Sequence, residues 1–193
     1  WLTYTRCHDD IGLGYDDAMI AAVGFNPYEH RKFLKNWYSG VYPGTYAKGA
    51  LFSVNPKTQD ARISGTLASL CGLENAILNQ QKHVIQQALQ RIILMQAHSM
   101  FLGGIPMLFY GDEVGYTNDY SYLHDAGKSY DNRWMHRPII DWKKNDRRNE
   151  QGTIEQQLFT AMQGLITLRK QYKAFADYSN LIWLTPHNKH IAG

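Results

Sequence analysis

The segment that most restricts the fold reads Phe101-Leu102-Gly103-Gly104-Ile105-Pro106-Met107-Leu108-Phe109-Tyr110-Gly111-Asp112-Glu113-Val114-Gly115. Two glycines and a proline punctuate its start, a continuous apolar run fills its middle, and Gly-Asp-Glu closes it. An unbroken apolar run between turn residues is the pattern of a strand buried on both faces, here over 105–110. Strands of that kind belong to α/β folds, where helices cover the sheet. Directly before it, Ile85, Leu89, Ile92, Met95 and Met100, with Ala88 and Ile93 beside them, recur at helical spacing. A helix over 82–100 feeding the strand is therefore expected.

The start of the chain supplies a second strand. Trp1-Leu2-Thr3-Tyr4-Thr5 is aromatic and β-branched, and it runs into Arg6-Cys7-His8-Asp9-Asp10. An imidazole and a carboxylate then stand at the carboxyl end of a strand, where barrel enzymes gather their catalytic side chains. Between the two strands, residues 11–80 are broken by Gly12, Gly14, Gly24, Pro27, Gly40, Pro43, Gly44, Gly49, Pro56 and Gly65. They read as a long irregular insertion with one helix, from Pro27 to Tyr38. So long a connection carries function or its own small substructure. Residues 111–150 read as a second long loop, rich in Asp, Asn and Tyr. Thr153 is placed to cap a helix with Ile154, Leu158, Ala161, Leu165 and Leu168 on one face. Beyond it, Leu181-Ile182-Trp183-Leu184 and His190-Ile191-Ala192, separated by Pro186-His187-Asn188-Lys189, read as a hairpin.

Charge and cysteine usage narrow the function classes. Twenty basic against 17 acidic residues leave a net charge of +3 with no basic block, which argues against nucleic acid or an anionic membrane as partner. No apolar stretch reaches the roughly 18 residues of a membrane span. Cys7 and Cys71 are too few for a disulfide framework and lack metal-ligand spacing, which favours a reducing, cytoplasmic setting. Five Trp and 13 Tyr suit a sugar ligand, whose C–H faces pack on aromatic rings, although aromatics are first of all core residues.

The His8-Asp9 strand end and Gly104-x-Pro106-x-x-x-Tyr110-Gly111-x-Glu113 resemble the seventh and eighth barrel strands of α-amylase superfamily (family 13) glycoside hydrolases. Three further stretches are similar to the amylosucrase and sucrose hydrolase branch: His8-Asp9-Asp10-Ile11-Gly12, Arg62-Ile63-Ser64-Gly65-Thr66, and Asp131-Asn132-Arg133-Trp134-Met135-His136-Arg137-Pro138. The resemblance covers nearly the whole chain. It implies an α/β fold: residues 1–175 as the C-terminal portion of a (β/α)8 TIM barrel, with 11–80 inserted after strand seven and 111–150 a long loop after strand eight, and 176–193 as the start of a C-terminal β domain. A complete barrel needs about 250 residues, so the remainder of the barrel is expected from sequence N-terminal to these 193 residues.

The activity so implied is that of an α-retaining glucoside hydrolase or transglucosidase acting on sucrose or a related small carbohydrate, without cofactor or metal. Retention requires a carboxylate nucleophile and a carboxylic acid/base. The family carries both on earlier strands, and nothing here matches them. Asp9 corresponds to the family's third carboxylate, a transition-state stabiliser. His8 would donate to a neighbouring sugar hydroxyl. Asp10 and Arg62 line the acceptor side, and Arg133 pairs with an aspartate from the N-terminal half to close the pocket beyond the reacting ring. Asp112 and Glu113, though adjacent carboxylates at a strand end, are architectural in the family, and neighbouring strand residues point apart. Three consecutive residues, His8-Asp9-Asp10, make a poor metal site. One departure is Val41 in Gly40-Val41-Tyr42-Pro43-Gly44, where amylosucrases carry a basic residue. It shifts the expectation from glucan elongation toward hydrolysis. The competing reading is a non-catalytic amylase-like domain kept for binding or assembly.

Overall fold

The computed structural model describes residues 1–176 and Ile182. After β1 (Leu2–Thr3) come β2 (Ile11–Gly12), α1 (Asp17–Ala22), α2 (Pro27–Tyr38), β3 (Ala50–Phe52), β4 (Arg62–Ser64), α3 (Leu67–Leu70) and α4 (Leu73–Leu78). The long helix α5 (Lys82–Phe101) leads into β5 (Ile105–Pro106), and α6 (Trp142–Asp146) and α7 (Ile154–Gln171) follow. The hairpin expected beyond residue 180 lies outside the described residues apart from Ile182. No described helix is long and apolar enough to cross a membrane.

β1 and β5 pair in parallel, Leu2 opposite Ile105 and Thr3 opposite Pro106. A parallel pair needs a crossover connection, which α5 completes. The ladder is much shorter than the strands that the sequence suggests, residues 1 to about 8 and 105–110. Ile105 is 67% exposed rather than buried on both faces. Among the described residues this sheet has two strands, so each has one partner and one open edge.

The insertion is more ordered than its glycines and prolines suggest. β2, β4 and β3 form a three-stranded antiparallel sheet in that order, and four short or medium helices surround it. α2 begins where the sequence places it because Asn26 accepts a hydrogen bond from the Glu29 amide and Pro27 stands at the first turn. α3 and α4 follow one another because Gly72 adopts φ 94°, a left-handed conformation costly for any residue with a Cβ. A Cβ there would also approach Tyr46 to 2.9 Å.

Two apolar clusters join these parts. Leu67, Ala68 and Cys71 around α3, and Leu73 of α4, pack with Ala88, Leu89 and Ile92 of α5 and with Leu158 and Met162 of α7. Leu13, Ala61, Ile63 and Leu70 form the second, covered by Leu34, Tyr38 and Leu51. Since α3 contributes to both, the insertion is built onto the α5–α7 layer. Burying each large aliphatic side chain contributes about 1.5–3 kcal/mol. The second loop is likewise structured: 3-10 turns at Asp112–Val114, Ser121–His124 and Asn132–His136 precede α6, and one at Arg147–Asn149 follows it.

Candidate functional site

β1 ends two residues before Thr5, and hydroxyl contacts seat it on α5. Thr3 Oγ1 donates to the Ser99 carbonyl at 2.9 Å, and Gln96 Nε2 donates to Thr5 Oγ1 at 2.9 Å. The backbone then turns, which lets neighbouring side chains reach the same surface. His8 and Asp9 project there with side chains 70% and 51% exposed, His8 Nε2 lying 3.5 Å from Asp9 Oδ2.

Asp9 Oδ1 meets two guanidinium groups, Arg133 NH1 at 3.4 Å and Arg137 NH2 at 3.7 Å. Both come from the 3-10 turn at 132–136 and its exit. Asp131 caps that turn by accepting from the Arg133 amide at 3.0 Å. Its carboxylate also takes the Arg133 fork, Nε to Oδ1 at 2.9 Å and NH2 to Oδ2 at 2.8 Å. The Arg133 bonds hold the Asp131 carboxyl below its ordinary range. The partner expected for Arg133 was an aspartate from an upstream half. Here its fork is engaged by Asp131, two residues away and already oriented by the cap, and it reaches Asp9 with NH1.

Asp10 and Arg62 are brought together, Oδ1 to NH1 at 3.8 Å. The antiparallel register causes this, because Gly12 stands opposite Arg62. The Asp10 side chain is largely buried, and its Oδ2 has no donor among the described residues.

The backbone carbonyls of the exposed pair are each held by buried or partly buried side-chain donors. The His8 carbonyl accepts from Arg137 Nε at 2.8 Å and from His136 Nε2 at 3.1 Å. The Asp9 carbonyl accepts from Arg6 NH2 at 3.2 Å. His136 is fully buried, and its Nδ1 accepts from the Gly65 amide at 3.2 Å, which places the ring proton on Nε2. Burial, reinforced by the Arg6 charge, pushes the His136 pKa down to about 4. Arg6, His136 and Arg137 escaped the sequence reading as site residues. The signal available was an arginine inside a β-branched strand run, where a charge must find a partner.

Asp112 and Glu113 hold the turn after β5. Gln96 Nε2 donates to Asp112 Oδ2 at 2.9 Å, and Glu113 Oε2 accepts from the Gly111 amide at 2.8 Å. Burial pushes the Asp112 pKa up to about 8, Arg6 opposing. Ligand atoms of Cys7, His8 and Asp9 lie within 4.8 Å of one another. The two guanidinium groups beside Asp9 work against a divalent cation at that carboxylate.

No protein-family model matches the chain. The arrangement by itself offers a half-exposed carboxylate, an exposed imidazole and an Asp–Arg pair whose carboxylate is buried and whose guanidinium is exposed, a set of donors and acceptors suited to a polyhydroxylated ligand.

Proposed function

We propose that the chain is the C-terminal part of an α-retaining glucosidase or transglucosidase barrel acting on sucrose or a related α-glucoside. The observation that carries this reading is the placing of His8 and Asp9 together on one surface at the end of a strand parallel to its neighbour, with Asp9 backed by Arg133 and Arg137. In this reading Asp9 accepts hydroxyls of the reacting ring and its fixed negative charge stabilises an oxocarbenium-like transition state. His8 donates to an adjacent hydroxyl. Arg133 walls the pocket beyond that ring, and Asp10 with Arg62 holds the leaving sugar or the acceptor. The exposed Val41 leaves that part of the insertion without the basic residue that elongating relatives of the resembled branch carry, so water is the favoured acceptor.

The test uses a polypeptide carrying the complete barrel. Asp9→Asn keeps the shape and removes the charge, so kcat on sucrose or an aryl α-glucoside should fall by about 100-fold or more while KM changes little. Turnover close to that of the parent would remove Asp9 from the catalytic set and the reading with it.

A further inference from the structure

We propose that Arg6 is a positioning residue for Asp9, fixing the strand-end turn through the Asp9 carbonyl so that the carboxylate meets its substrate in one orientation; this rests on the reading of Asp9 given above. Arg6 is 2% exposed, so its guanidinium is not a surface group that wandered into contact. Its NH2 donates to the Asp9 carbonyl, while Nε and NH1 have no acceptor among the described residues. A buried cation with so few bonds is costly, and a smaller apolar residue would avoid that cost. Its charge is attracted to Asp112 and Asp10, and what the arginine supplies beyond that is a planar arm reaching from past the end of β1 to a carbonyl three residues on.

The same turn is held independently by donors from the 132–137 segment. Arg137 and His136 grip the His8 carbonyl and Arg6 the Asp9 carbonyl, so the two peptide units that flank the Asp9 Cα are each pinned through their oxygen. Without Arg6, the His8 carbonyl stays anchored while the Asp9 carbonyl loses its donor, and the backbone following the Asp9 Cα gains freedom to rotate. The Asp9 carboxylate would then sample orientations around Arg133 and Arg137 instead of one. Misplacement of a catalytic group by about 1 Å costs on the order of 100-fold in rate. Arg6 reaches no reacting atom in this account. It acts through the backbone of Asp9.

The experiment is a double-mutant cycle in the polypeptide carrying the complete barrel, assayed on an aryl α-glucoside with an activated leaving group. Arg6→Met is made alone and in Asp9→Asn, with Arg6→Lys as the conservative variant and melting temperatures recorded throughout. Arg6→Met should lower kcat by about 10- to 100-fold with KM changed less than about threefold, and Arg6→Lys should recover part of it. In the Asp9→Asn background the same substitution should cost less than about threefold, because the carboxylate it orients is already gone. Equal fractional losses in both backgrounds, or an unchanged kcat in Arg6→Met, overturn the proposal while leaving Asp9 catalytic. Parent-like turnover in Asp9→Asn overturns the functional reading itself and the proposal with it. If Arg6→Met does not fold, Arg6→Lys and Arg6→Gln run through the same cycle with the same criteria.

Discussion

His136 shows at the residue scale how the site is held. In the unfolded chain an imidazole takes up a proton near 6.5, but here burial delays it to about 4, because protonating Nδ1 would break the bond from the Gly65 amide inside a desolvated pocket. The stability it contributes is therefore complete above pH 6.5 and is lost as the pH falls toward 4. The difference amounts to about 3 kcal/mol. Asp112 acts in the opposite direction, since a carboxyl pushed up from 3.8 to about 8 costs stability as the pH rises through that range. The measurement that separates them is the stability difference between the parent chain and His136→Gln, by urea denaturation at several pH values. It should shrink by about 3 kcal/mol between pH 7 and pH 4, and a pH-independent difference would show that His136 charges freely in the fold. The sequence made His8, Asp9 and the Asp10–Arg62 pair legible because those side chains sit in short motifs. The contacts of His136 and Arg6 stayed hidden for a different reason. Their partners are set by the fold: Gly65 lies 71 residues from His136 and His8 lies 128, and a side chain that works through another residue's backbone leaves no local pattern.

At the scale of elements, what was legible was what is long and capped. α2, α5 and α7 lie where periodicity and caps put them, Thr153 accepting from the Gln156 amide as its position implied. α3, α4 and the three-stranded sheet were not legible, because ladders of two or three residues carry no alternation and two helices of four and six residues, joined at Gly72, are too short to show a helical period. The Gly111–Gly115 turn is a third case, in which the motif was visible and its reason was not. Gly115 adopts φ 68°, and a Cβ there would come within 2.7 Å of Leu158 Cδ1 in the main apolar cluster. Gly115→Ala therefore combines left-handed strain with a clash against α7 and should cost about 1–3 kcal/mol. For a chain of this length that lowers the melting temperature by roughly 2–4 °C per kcal/mol. An unchanged melting temperature would mean that α7 yields at Leu158 without loss.

For the whole molecule, the apolar surface is the informative quantity. Trp1, Leu2, Leu94 and Ile105 are each more than 60% exposed. The last three come from β1, α5 and β5, the same α/β layer. Leu2 and Ile105 are neighbours across the ladder, and exposed apolar side chains on such a layer mark a surface meant to be covered, as open strand edges invite pairing. The proposed reading assigns that cover to further barrel strands. Residues 1–193 purified alone should therefore bind an apolar dye, self-associate with rising concentration in sedimentation experiments, and show no turnover of sucrose. Clear turnover by this polypeptide would end the fragment reading.

Glu74 ties the two walls of the candidate site into one part. It is buried in α4, and its carboxylate gathers Ser69 Oγ, the Asn118 amide at 3.3 Å, Tyr120 OH at 2.9 Å and Lys48 Nζ at 2.7 Å. Asn118 in turn accepts from the Thr66 amide at 2.9 Å and donates to the Lys48 carbonyl at 2.6 Å. Ser69 and Lys48 belong to the insertion, Asn118 and Tyr120 to the loop after β5. A hinge between those two segments would have to break the whole set at once, and breaking a buried carboxylate's bonds together is far harder than breaking them in turn. In the proposed reading, any breathing that admits a ligand and lets a product leave would have to come from segments beyond the knot's reach, such as α1 and the tip near Tyr130, while the two walls travel as a single rigid jaw.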